Sequence, residues 1–173
     1  MNLQEVLNNQ KPRPTPKKVE PKVAKESESD LQKRVLFYFE KTYRKDFPYC
    51  QIVVNPLSEA INSALYFFVK NKELRKKILF KVYEIAHSLG FKASQPDLLF
   101  LQPNKDYSGL AIEIKTLEAN PYYANDNTKL KKNVHTKPQK EYLDSLSSAG
   151  YYATFGVGFE NCKEIIDKYF QNT

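Results

Sequence analysis

Three charged residues stand in the most apolar part of the chain, and their types and spacing point to chemistry. Asp97 follows Pro96 and leads into Leu98-Leu99-Phe100-Leu101. Glu113 and Lys115 break the run that starts Leu110-Ala111-Ile112. Residues 97–101 and 110–115 both read as strands, joined by the turn-rich segment QPNKDYSG. Alternate side chains of a strand share a face, so Ala111, Glu113 and Lys115 fall on one side and Leu110, Ile112 and Ile114 on the other. A hairpin turn centred on Lys105 pairs positions whose numbers add to 210, and 97 and 113 do so. Opposed residues on one face have Cβ atoms roughly 5 Å apart. Two carboxylates held that close repel, and a divalent cation between them removes the penalty. Mg²⁺ prefers carboxylate oxygens, with waters and phosphate oxygens completing its shell. A single acid beside a lysine is more often a solvated face or a surface ion pair. The tripeptide Glu113-Ile114-Lys115 alone is weak, and an unrelated α/β interaction domain could carry it by coincidence. Pro-Asp followed sixteen positions later by Glu-x-Lys, inside apolar flanks, is more specific.

The elements that must position these residues follow from periodicity. Leu31, Val35, Leu36 and Phe39 recur at helical spacing over 28–42, and Tyr49–Val54 is a short β-rich run. Residues 58–89 predict helix broken near Asn71, with Ile61, Leu65, Phe68, Leu74, Ile78, Val82, Ile85 and Leu89 as its apolar stripe and Gly90 as its stop. After the two middle strands come a polar stretch, a helix over about 138–149, a strand over 151–157 and a closing helix over 160–170. The order α-β-α-β-β-α-β-α makes this an α/β domain.

The chain has 173 residues, 41% of them hydrophobic, which is one ordinary domain's worth of core. No stretch approaches a membrane span, and MNLQEVLNNQ lacks the apolar run of a secretory signal. Cys50 and Cys162 have no metal-ligand spacing, so a reducing, intracellular setting is expected: cytoplasm, nucleus, or a host cell if the chain is viral. Residues 1–25 hold six basic and two acidic residues, which is +4 of the formal +7, and residues 11–25 contain four prolines. A disordered basic tail over 1–25 and a folded domain over 26–173 are therefore expected. The charge suits a polyanionic partner, although charge alone favours a merely solubilising tail.

The motif residues resemble the PD-(D/E)xK nuclease superfamily, through Pro96-Asp97-Leu98-Leu99-Phe100 and Gly109-Leu110-Ala111-Ile112-Glu113-Ile114-Lys115. Within it the chain looks most like the VRR-NUC domains of phages, viruses and bacteria, relatives of Holliday junction resolvases. Glu28 to Gln32 resembles that family's opening E-x-x-x-Q, and Gln139, Tyr142, Leu143, Leu146, Gly150 and Tyr151 its Q-x-x-Y-L…L…G-Y segment. The match covers about residues 26–171. Ser94 stands where the family often has glycine, and 57–70 looks longer than a minimal domain needs.

The resemblance implies a restriction-endonuclease-like core, a mixed central sheet flanked by helices. It implies a metal-dependent endonuclease that hydrolyses DNA phosphodiesters, with branched or junction DNA as a candidate substrate. A catalytically inactive nucleic-acid-binding module of the same fold is the alternative. Asp97, Glu113 and the Ile114 carbonyl would hold Mg²⁺ or Mn²⁺. Lys115 would orient the attacking water or stabilise the transition state. Glu28 shares the sheet-facing side of its helix with Gln32, Val35 and Phe39, so it reads either as a helix N-terminal charge or as a site residue. Gln139 either reaches the site or is a surface residue. Over 116–137, Tyr122 and Tyr123 with Lys129, Lys131, Lys132 and Lys137 suit phosphate contacts and stacking on DNA, with disorder as the competing reading. His87 and His135 stay outside the expected site. A homodimer is a further expectation for a two-fold symmetric substrate.

Overall fold

Helix α1 (Glu28–Thr42) begins at a cap. Ser27 is in extended backbone, and its hydroxyl accepts from the Asp30 amide at 3.1 Å, one of the donors that a first helical turn leaves unpaired. Leu31, Val35 and Phe39, spaced by four, are fully buried. The structure is a computed structural model and describes residues 25–54, 57–90, 92, 94–123, 126–131 and 136–173, with backbone alone at 57–60 and 126–128. The expected tail (apart from Lys25), Lys132 and His135 lie outside the described residues.

The central sheet has four strands. Strand β1 (Ile52–Val54) pairs antiparallel with β2 (Leu98–Phe100), and β2 pairs antiparallel with β3 (Leu110–Lys115). The β2–β3 register matches Leu98 to Ile112, Leu99 to Ala111 and Phe100 to Leu110, so paired positions add to 210 as expected. Strand β6 (Tyr152–Val157) runs parallel to β3 and completes the order β1-β2-β3-β6. A parallel pair needs a crossover. Here β4 (Tyr122–Tyr123), β5 (Asp126–Leu130) and α4 (Thr136–Ser148) supply it. Helix α5 (Gly158–Phe170) closes the chain. The result is the expected α/β architecture, a mixed central sheet flanked by helices, with β4 and β5 added as a small antiparallel pair.

Both sheet faces are covered. On one, Leu98, Phe100, Leu110, Ile112 and Ile114 pack against Val35 and Phe39 of α1 and Ile166 and Phe170 of α5. On the other, Ala111 and Phe155 meet Leu143 of α4, with Tyr122 and Leu130 of the small hairpin alongside. All six residues of β3 are consequently buried. Helix α5 can lie this close because residue 156 has no side chain: a Cβ there would fall 2.5 Å from Cys162 Sγ and 2.8 Å from Ile112 Cγ2. Gly150 turns α4 back toward β6 with a φ of +87°, a conformation L side chains rarely adopt.

The long helical segment divides as expected, into α2 (Leu57–Phe68) and α3 (Lys72–Ser88). Asn71 caps α3, its Oδ1 accepting from the amides of Glu73 and Leu74. The expected apolar stripe does not become core. No residue of α3 is buried, and Phe68, Leu74, Ile85 and Leu89 stand exposed. The reason is spatial. The sheet faces are already occupied by α1, α5 and α4, so α2 and α3 pack chiefly against each other.

Candidate active site

The acidic pair sits where β2 begins and β3 ends. Asp97 stands one residue ahead of β2, and its Oδ2 accepts from the Ile114 amide at 2.7 Å. The side chain thus joins β3 where the backbone ladder stops. Continuing the β2–β3 register by one position places Asp97 across from Glu113. The Asp97 carbonyl is held in turn by Gln32 of α1, whose Nε2 donates at 3.0 Å. Ser94 needs no glycine: no described residue other than glycine has a positive φ.

Glu113 is 4% exposed and Lys115 9%. Their face of β3 is roofed by α4, and charges placed there have left water. Glu113 Oε1 accepts from Lys115 Nζ at 2.8 Å and from Gln139 Nε2 at 2.5 Å. Lys115 Nζ also lies 3.4 Å from Glu28 Oε1. Glu28, Asp97, Glu113, Lys115 and Gln139 therefore converge from α1, the start of β2, β3 and α4. Asp30 points away, held at the surface by Ser27 and Lys33. Gln32 is the contributor whose part was not foreseen. The sequence signals for it are the E-x-x-x-Q resemblance that it closes and its position four residues after Glu28, on the same helix face.

Burial and the neighbouring Asp97 charge push the Glu113 carboxyl up to about 7, against the opposing pull of Lys115. For Lys115 burial works the other way, but the Glu113 and Glu28 carboxylates more than offset it and hold the ammonium above the ordinary lysine range. Lys115 is therefore a cation at neutral pH. One acceptor is left over: Gln139 Oε1 is buried and has no hydrogen-bond partner. Such an orphan costs about 1–3 kcal/mol, so its place beside the acids marks a position for a donor. Among the described residues no three His, Cys, Asp or Glu side chains are arranged so that all three could hold one metal ion. The side-chain oxygens on offer are those of Asp97 and Glu113, with Glu28 turned to Lys115.

The raised carboxyl has a measurable consequence for stability without divalent cations. The folded state holds the Glu113 proton up to about 7, whereas the unfolded chain releases it near 4.5. Stability contributed by this group is therefore expected to fall as pH rises between those values and to stay low above them. The penalty is up to about 3 kcal/mol. Thermal melts in chelator at pH 5 and pH 8 check it, because Glu113→Gln should gain on the parent protein across that window. A constant gap between the two proteins would contradict the assignment.

The basic residues expected to meet DNA are only partly placed together. Lys129 Nζ lies 5.9 Å from the centre of the Tyr123 ring, Lys131 Nζ donates to the Asn120 carbonyl at 2.8 Å, and Lys137 is 3.8 Å from Glu141 Oε1. Among the described residues none of the three is bonded to the acidic pair. Tyr122 packs edge-on to Phe155 at 6.0 Å and lies partly buried against the second core, so part of its ring is engaged there.

A mixed sheet covered on both faces, with an acid–acid–lysine cluster at the carboxyl end of its central strand, is a restriction-endonuclease-like core. A comparison of structures agrees. A solved structure described as a VRR_NUC domain protein matches with a TM-score of 0.54 and 23% identity, over 87% of this chain and 93% of that one. The shared fold is thus that of a VRR-NUC domain. No family model and no curated protein matches the sequence. No helix among the described residues is long and apolar enough to cross a membrane.

Proposed function

We propose that the chain is a metal-dependent nuclease that hydrolyses DNA phosphodiester bonds. The observation that carries this reading is the facing pair of buried Glu113 and half-buried Asp97 beside a cationic Lys115, within the fold of a nuclease-type domain. Two facing carboxylates, one of them held partly protonated by burial, form a site that a cation would relieve. The donors fit a hard, oxygen-seeking ion such as Mg²⁺ or Mn²⁺: the Asp97 and Glu113 carboxylates and the Ile114 carbonyl. Ile114 donates its N–H toward Asp97, and a strand residue's N–H and C=O leave on the same edge, which supports the carbonyl's part in the set. When bound, such an ion supplies a Lewis acid that promotes ionisation of the attacking water and offsets charge on the scissile phosphate.

The remaining work falls to the chain's own groups. Lys115 keeps its proton and presents ammonium donors toward the charge that grows on the phosphate. Glu28 and Glu113 hold that ammonium from two sides and fix its direction. Gln139 orients Glu113 through its amide nitrogen, and its unpartnered oxygen can accept from a water of the reaction site. Gln32 anchors the Asp97 backbone and so sets the distance between the acids. The phosphodiester substrate enters where Glu28, half-exposed, opens the cluster to solvent.

A panel of linear, nicked, flapped and four-way DNA incubated with and without Mn²⁺ tests the reading. Cleavage that requires the metal is the expected result, and the preferred member of the panel identifies the DNA structure. Binding without cleavage, under every metal condition, would instead make the chain a nucleic-acid-binding module.

A further inference from the structure

The α2–α3 hairpin takes no part in the site, yet it holds much of the domain's positive charge. Residues 57–92 contain seven Lys and Arg against three Glu, a net +4. Residues 26–56 are balanced, and residues 93–173 sum to −1. Apolar groups stand exposed on the same hairpin. At the end of α2, Phe67 is 77% and Phe68 86% exposed. The corner that displays them is fixed. Arg75 stacks over the neighbouring Tyr66 with its guanidinium carbon 4.9 Å from the ring centre, and its Nη1 donates to the Val69 carbonyl at 3.0 Å. Lys70 and Lys72, either side of the Asn71 cap, form no ion pair among the described residues. Two aromatic rings beside two uncommitted cations, on a braced turn, form a preorganised surface.

The charge selects the occupant. A second copy would bring another +4 face against this one, which repels. A membrane surface wants apolar and basic residues on opposite helix faces. Here Leu74, Lys77, Lys81 and Ile85 share one exposed face of α3 at helical spacing. Rings interleaved with cations match a polyanion that also offers flat apolar faces. Unpaired nucleotides do so, because their bases stack on aromatic side chains while lysines follow the phosphates.

We propose that the α2–α3 corner docks unpaired nucleotides of the substrate, with Phe67 and Phe68 stacking on bases and Lys70 and Lys72 contacting the flanking phosphates. Choosing nucleic acid as the polyanion rests on the nuclease reading above. The corner thereby gives the enzyme a preference for DNA carrying single-stranded character, independently of the acids that cut.

The test measures binding of the full chain in chelator by fluorescence polarisation. The probes are a labelled oligo-dT strand, a blunt duplex, and the same duplex with a single-stranded overhang. Phe67→Ala/Phe68→Ala should weaken strand and overhang binding about 5- to 150-fold for each base that no longer stacks, and leave the blunt duplex nearly unchanged. Phe67→Tyr/Phe68→Tyr keeps the rings and should bind as the parent does. Lys70→Glu/Lys72→Glu should weaken all three probes and shrink the log–log salt slope by about 0.7 for each single-strand phosphate no longer neutralised. Unchanged strand binding by the alanine pair, with helical circular dichroism intact, would overturn the proposal. So would phosphatidylserine vesicles bound more tightly than the strand and released by the alanine pair, or a parent dimer that the alanine pair dissolves. Cleavage of the blunt duplex with Mn²⁺ separates the two readings. If the parent cuts nothing but the alanine pair loses strand binding, docking stands and the nuclease falls. If the parent cuts and the alanine pair binds and cuts alike, the nuclease stands and docking falls.

Discussion

Glu113→Gln is expected to remove cleavage by at least on the order of a hundred- to a thousandfold while leaving a folded protein. The substitution preserves the volume of a side chain that is 4% exposed, so the roof formed by α4 stays in place. An amide oxygen at this position can still accept from Lys115 and Gln139, which both donate to Oε1 in the parent. What disappears is the charge. Without it the site loses one of its two anionic donors, and the cation it would hold is bound more weakly and polarises less. In chelator the variant should gain on the parent in melting temperature between pH 5 and pH 8, because burial no longer acts on an ionising carboxylate. Single-turnover cleavage with Mn²⁺ and thermal melts in chelator measure the two effects. A well-folded variant that cleaves at the parent's rate would rule out the site.

The part of this site that lies on β2 and β3 was legible in the sequence. The alternation Leu110-Ala111-Ile112-Glu113-Ile114-Lys115 states which residues share a face, and the length of the intervening turn states the register. Both are local properties with a period of two, and the observed pairing of Leu98 with Ile112 follows from them. The reach of Glu28 and Gln139 into the cluster was legible only in part. Their helical faces are readable, but the packing that brings α1 and α4 to the same strand end is not, because it depends on side chains meeting across tens of residues of chain. Gln32 illustrates the limit. Its partner is a backbone carbonyl, and no side-chain pattern announces one.

Two other features were hidden for physical reasons. Strands β4 and β5 lie in a polar stretch with no sustained alternation, and among the described residues of the two strands those packed against the second core are the separated Tyr122 and Leu130. Such anchors look like isolated apolar residues in a loop. The α2–α3 segment misled in the opposite direction. Its helical periodicity is genuine, and a stripe of that kind normally finds a core. Periodicity reports that a face is apolar, but it does not report whether any space remains on the sheet to receive it. Here α1 and α5 fill one side and α4 the other, and the stripe is left to the mutual packing of two helices and to solvent.

Lys115→Met should separate chemistry from metal binding. Methionine is unbranched and apolar, so it can take the buried space of the lysine stem without leaving a large cavity. The ammonium is what the substitution removes. In the parent that ammonium is kept protonated by Glu113 at 2.8 Å and Glu28 at 3.4 Å, and the role proposed for it is that of a donor and a charge. A donor aimed where charge grows in the transition state contributes about 2.7–4 kcal/mol, and its loss should slow cleavage on the order of a hundred- to a thousandfold. Affinity for the divalent ion should move the other way or not at all. A like charge leaves the neighbourhood of the ion, which favours binding, while the Asp97 and Glu113 carboxylates remain. The comparison belongs at pH 8, above the value of about 7 to which Glu113 is raised, so that proton competition does not confuse the two proteins. Calorimetric Mn²⁺ titration alongside single-turnover cleavage gives both quantities. If Mn²⁺ affinity fell in proportion to the rate, Lys115 would be a scaffold for the acids and its role in transition-state stabilisation would be wrong. A retained or tighter affinity with a slow step would place the ammonium on the phosphate side of the reaction.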